Sequence, residues 1–261
     1  MLKSLVQKSL NRRSATAAIA LAAAALTTAC YPIESDTPAI VEATRLHDLP
    51  LTSGLYCWAE LSEQEPVEVE SFDPEACYDI DVYDGLAELT LMDEEYPATT
   101  FKAASLGRGA MLLQHYDPEE DAFALYTMFL REDGLVIVPP ARANAVVIEI
   151  AGEYAAALKL SASDVEDLLE DDYDGLPELA FAGGAPSDIH AVLREATGLL
   201  LDQALRDEET FAYPLDDAIY FVRTEATPEE IHDGVSQEAL QAAGPIVASL
   251  RGQIGRAMAL E

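Results

Sequence analysis

The chain has 261 residues, of which 48 are Asp or Glu and 15 are Lys or Arg, for a net charge of −33. So negative a surface repels phosphate backbones and anionic headgroups, which excludes nucleic acid as a partner. Half of the residues are hydrophobic and the acidic ones are spread among them, which excludes a disordered acidic tail.

Lys3, Lys8, Arg12 and Arg13 form a basic start with no acidic residue. A low-polarity run from Ala15 to Leu26 follows, and small residues lead to Cys30. That order reads as a secretory signal. The run is about a dozen residues, short of the about 20 needed to span a hydrocarbon core of roughly 30 Å, so residues 1–29 read as a cleaved leader.

Thr27-Thr28-Ala29-Cys30 resembles the lipobox of bacterial lipoproteins. It departs from the usual pattern in having Leu26 four residues before the cysteine, with Thr27 in the third place. Ordinary signal-peptidase cleavage after Ala29 is the alternative. The resemblance implies acylation of Cys30 and lasting attachment to a membrane, because two or more chains anchor where one holds only marginally. Tyr31, in place of Asp, leans toward the outer membrane by the same resemblance, with the domain facing periplasm or exterior. Loss of residues 1–29 removes four of the 15 basic residues and no acidic one, leaving −37. With Cys30 acylated, Cys57 and Cys77 are an even pair for one disulfide in an oxidising compartment.

Residues 30–50, with Pro32, Pro38 and Pro50, read as an extended tether. Residues 51–261 are expected to form a single α+β domain, β-rich over 51–160 and helix-rich over 161–261. Leu55, Cys57, Ala59 and Leu61 fall on one strand face, and Tyr56, Trp58 and Glu60 on the other. Tyr78, Ile80 and Val82 alternate with Asp79 and Asp81, as in a half-buried strand, and Cys77 is placed before it, after the Asp73-Pro74 turn. Asp84-Gly85, Gly107-Arg108-Gly109 and Glu132-Asp133-Gly134 each separate two strand-like runs. Hairpins in series predict an antiparallel meander that curls into a barrel or is covered on one face.

Residues 144–160 are ambiguous between strand and helix. Ser163 with Glu166 forms a capping box, and Ser187 starts a longer helix with an apolar stripe at Ile189, Val192, Leu193, Ala196 and Leu200. Ala218 to Arg223 reads as a strand. Thr227-Pro228-Glu229-Glu230 starts another helix, with Pro at its first position. Gly244-Pro245 is expected to break the following stretch before a last helix from Ile246.

Glu170, Asp172 and Asp174, followed by Gly175, place hard oxygens at alternating positions before a turn, the arrangement of a calcium loop. The match is partial, since Phe181 stands where a bidentate Glu belongs, and an acidic turn after a short helix explains the segment as well. The heptad Tyr83-Asp84-Gly85-Leu86-Ala87-Glu88-Leu89 returns as Tyr173 to Leu179, with Pro177 for Ala87, which reads as shared turn chemistry. Tyr56 and Trp58 share a strand face; if the opposite face packs the core they lie outward as a stacking surface for a glycan or an envelope protein, and the alternative is that a second layer, such as the long helix, covers them. Phe181 to Ser187 has the layout of an anion site, but Asp188 in the first turn opposes phosphate, so it reads as a connector.

His47, His115, His190 and His232 are isolated, and HExxH, GxSxG and SxxK motifs are absent. No cofactor is indicated apart from Ca²⁺ at the acidic loop. The sequence therefore leans toward a non-catalytic, lipid-anchored envelope protein with a binding or structural role. A calcium-binding protein and a periplasmic hydrolase with an unrecognised site are the alternatives.

Overall fold

A computed structural model describes residues 33–62, 68–91, 98–118, 120–137, 150–158, 180–181, 183–206 and 218–259. The leader, Cys30, the Ser163 capping box and the candidate calcium residues Glu170, Asp172 and Asp174 lie outside them.

The meander is present and closes on itself. Strands β2 (Gly54–Leu61), β3 (Val69–Tyr83), β4 (Leu86–Leu91), β5 (Thr99–Gly107), β6 (Ala110–Asp117), β7 (Ala122–Arg131) and β8 (Gly134–Ile137) pair in chain order. Strand β10 (Ile219–Thr224) then lies between β8 and β2, antiparallel to both, and completes an eight-stranded barrel. Two short strands sit beside it: β1 (Ile33–Ser35) pairs antiparallel with Phe123 to Leu125 of β7, and β9 (Ala180–Phe181) runs parallel to β1. At the β3–β4 turn Asp84 and Gly85 both have positive φ (46° and 71°), the backbone of a tight hairpin turn matched to strand twist.

Period-two alternation puts two separate apolar clusters on the two faces of the wall. The interior cluster holds Tyr56, Tyr78, Ile80, Phe101, Tyr126 and Phe221 among others. The outer cluster joins Cys57, Leu112, Leu125, Phe129 and Val222 to the helices. These are α1 (Ala155–Leu158), α2 (Pro186–Arg206), α3 (Pro228–Asp233) and α4 (Gln237–Ala259). The expected alternatives of barrel and covered sheet are thus both realised. The C-terminal part is less helical than expected, because β9 and β10 interrupt the helices and β10 is the strand that closes the wall.

Helix α4 runs through Pro245 instead of breaking at Gly244-Pro245. Leu240, Ala243, Val247, Leu250, Ile254 and Ala257 form one buried stripe on both sides of the proline, and its burial outweighs a single missing backbone bond. The wall thins where the helix lands. A Cβ on Gly134 would sit 2.7 Å from Leu250 Cδ1 and 3.2 Å from Ile246 Cγ2. Arg108, at the tip of the β5–β6 turn, ties both long helices to the barrel. Its guanidinium donates to the carbonyls of Ala257 (2.7 Å) and Gly198 (3.2 Å) and pairs with Asp202 (2.6 Å).

The expected tether is, from Ile33 on, part of the domain. Ile33, Ala39, Ile40 and Leu51 are buried. The Ile40 N–H donates to Gln114 Oε1 (2.8 Å) on the outer face of β6, and Leu46 N–H donates to the Ala103 carbonyl (2.8 Å). The segment then passes the β3–β4 turn, where a Cβ on Gly85 would lie 2.3 Å from the Leu46 carbonyl. Thr52 N–H finally reaches the Glu132 carbonyl (2.9 Å) at the β7–β8 turn. Residues 36–53 are therefore a strap that crosses the outer wall and seals one end of the barrel with Leu46, Leu49 and Leu51. Apolar side chains that would be stranded on an extended spacer gain burial there, and this outweighs the stiffness of the prolines.

Candidate functional site

The barrel interior is the site that the fold builds. It contains a cavity of about 30 Å³, lined by Leu49 and Leu51 of the strap and by Ile80, Phe101, Leu113 and Tyr126, among others, of the wall. The lining is apolar, with no charged side chain. At its edge His115 enters the barrel at the inward position after Met111 and Leu113. Its ring lies edge-on to Phe101 (5.0 Å between centroids, 78°) and stacks on Tyr126 (6.1 Å, 24°). The imidazole Nδ1 is sealed from solvent and has no hydrogen-bond partner among the described residues. Burial pushes the imidazole pKa below its ordinary value, against the Tyr116 backbone and the Asp117 carboxylate, which favour the charged form.

Tyr56 closes the strap end from within. Its hydroxyl donates to the Thr52 carbonyl (2.6 Å), with the Glu132 carbonyl at 3.1 Å, so one phenol holds the strap to the β7–β8 turn. Burial pushes its pKa up to about 12, the hydrogen bond to Thr52 opposing.

The face carrying Tyr56 and Trp58 is the inner face of the wall, so the pair is not an outward stacking surface. Tyr56 is fully buried and Trp58 packs against the same interior cluster. The physical reason is that both faces of β2 are covered, one by barrel closure and the other by the helical layer, so an alternating strand need not have a wet side. Cys57 and Cys77 are bonded to each other, with Cα atoms 4.1 Å apart at directly paired positions of β2 and β3. Cys77 lies within β3 instead of before it, on the outer face with Asp79 and Asp81. The pairing jumps from Cys57↔Cys77 to Trp58↔Asp73, so Pro74, Glu75 and Ala76 bulge from the ladder at the turn expected there.

The remaining histidines stay apart. His190, on α2, bonds through Nε2 to the Ser105 carbonyl (3.1 Å), and His47 lies on the strap beside Arg45. Among the described residues no group of three or more His, Cys, Asp or Glu is placed to hold a metal ion. Among the same residues no helix is long and apolar enough to cross a membrane. The barrel wall is apolar inside and has Asp79, Asp81 and Lys102 exposed outside, the inverse of the lipid-facing pattern of membrane-spanning barrels. His115 is the interior polar group that reading the sequence missed. The signal was its place in the alternation Met111, Leu113, His115, visible only once that face is known to be enclosed.

Comparison of the chain with protein-family models, curated proteins and solved structures finds no match.

Proposed function

We propose that this protein is a lipid-anchored component of the bacterial cell envelope, exported by its leader and fastened through Cys30 to the outer membrane. Its barrel is a non-catalytic binding or structural module that works through its surface. The observation that carries this reading is the filled interior. A cavity of about 30 Å³ is an order of magnitude below the roughly 300 Å³ at which pockets begin to take small molecules. Its lining offers burial and shape but no paired acid and base. The barrel is thus a core that holds an outer surface in place. The Cys57–Cys77 bridge suits the same reading, since disulfides persist in oxidising compartments.

Metabolic labelling with a palmitate analogue tests the anchor, with label expected on the wild type and lost in Cys30→Ser. Unlabelled, unprocessed protein in the cytosol overturns the reading.

A further inference from the structure

The strap begins very close to the proposed anchor. Ile33 is already paired with Leu125 of β7, and only Tyr31 and Pro32 separate it from Cys30. Three peptide units extend at most about 10 Å, so an acylated Cys30 leaves β1 no room to stand off from the bilayer. Near β1 the barrel carries two of the three exposed large hydrophobic residues among those described, Tyr116 (49% exposed) and Val41 (37%). Tyr116 on β6 and Ser35 on β1 pair with the same residue, Phe123, from its two sides, so they are roughly 10 Å apart across β7 at ordinary strand spacing. The Tyr116 and Phe123 rings are 5.3 Å apart on the outer face. Val41 follows Ile40, whose N–H is bonded to Gln114, two residues from Tyr116 on that face.

We infer that this patch of Tyr116, Phe123 and Val41 rests on the surface of the membrane that holds Cys30, which fixes how the barrel is oriented. The inference depends on the lipid-anchor reading given above. Tyrosine suits the position because its ring is apolar and its hydroxyl is not, the combination that settles at headgroup depth. Glu42 follows Val41 in the chain, Glu120 and Asp121 lie in the turn after β6, and all three are exposed. Asp121 Oδ1 accepts from the Tyr116 hydroxyl (2.5 Å), and such carboxylates are repelled by anionic headgroups. The surface it fits is therefore zwitterionic. The third exposed residue, Tyr83, lies on β3 at the strap end, on the far side of the barrel, and faces away from the bilayer.

The test uses lipidated full-length protein, its modification verified by mass, in phosphatidylcholine vesicles containing brominated phosphatidylcholine. Tyr116→Trp and Tyr83→Trp each add an indole to the Trp58 background, which the parent protein measures. The indole at position 116 loses most of its emission to the brominated lipid and that at 83 keeps it. A flexible Gly/Ser insertion between Pro32 and Ile33, or replacement of half the lipid by phosphatidylglycerol, restores emission at 116. Equal quenching at both positions, or none at 116 in acylated protein, overturns the orientation and leaves the anchor standing. An unmodified Cys30 overturns both.

Discussion

The two apolar clusters are separated only by the thickness of one sheet, yet they are closed by different means. The interior is enclosed by the hydrogen-bonded wall and capped at one end by the strap. The outer cluster is closed by helices laid on strands, fixed at points such as Gly134 and Arg108. Side chains inside face a ring of strands that cannot move inward without breaking backbone bonds. Those outside face helices that can settle by small shifts. Equal burial therefore does not imply equal tolerance of a lost atom.

The same contrast explains what the sequence disclosed. Tyr78 to Val82 reads as clean alternation, and this stretch of β3 has a solvated outer face with Asp79 and Asp81 exposed. Strands β7, β8 and β10 read as nearly continuous apolar runs, and both of their faces are enclosed. Hairpin positions were legible because Asp84-Gly85 and Gly107 to Gly109 need backbone conformations that few residues adopt. Closure by β10 was not, since nothing local in Ile219 to Thr224 names the strands it will pair with across a long connection. For the same reason the sequence leaves open whether Tyr56 and Trp58 lie outward or covered. Alternation distinguishes two faces but cannot say that both are covered. The strap was hidden by Pro38 and Pro50, which locally favour an extended chain, while the burial that overrides them comes from distant strands. Of the candidate site, the disulfide was legible from cysteine parity, whereas His115 looked like any lone histidine.

The sharpest way to break the contrast is a pair of truncations. Phe221, edge-on to Tyr78 inside the barrel (5.7 Å, 67°), leaves a hole that the wall cannot close. Phe221→Ala should destabilise by about 3–5 kcal/mol. Leu250→Ala, beneath α4, should lie near the lower end of the about 2–5 kcal/mol expected for a buried leucine, since the helix can settle toward Gly134. Urea unfolding midpoints at unchanged slope measure both. Losses of the same size would show the helical layer to be as unyielding as the wall.

A smaller effect probes the polar exception inside. Burial depresses the folded-state pKa of His115, while in the unfolded chain it titrates near the ordinary value of about 6.5. Between those two values the unfolded chain binds the extra proton, so stability is full above about pH 6.5 and is lost as pH falls toward the folded-state value. His115→Leu should flatten that acid-side slope. His190, also depressed by burial, accounts for a residual slope that His190→Gln removes. An unchanged slope in the double variant would place the acid sensitivity elsewhere.

The smallest effect belongs to the outer layer, at the entry to α3. Thr227 Oγ1 accepts from Glu230 N–H (3.3 Å), and Glu230 Oε2 accepts from Thr227 N–H (2.8 Å), so each side chain satisfies a backbone donor that the first helical turn leaves free. The cap aims Ile231 into the outer cluster immediately after β10 has closed the barrel. Thr227→Ala should cost about 1 kcal/mol by urea unfolding near neutral pH. The Thr227 backbone and hydroxyl hold the Glu230 carboxyl below its usual range, so the cap's contribution is full above the ordinary carboxylate pKa and fades as pH falls through the depressed one. The penalty of Thr227→Ala should therefore shrink on strong acidification, whereas the penalty of Phe221→Ala, which involves no titrating group, should persist for as long as the barrel stays folded. A Thr227→Ala penalty independent of pH would mean that the hydroxyl acts without its glutamate partner.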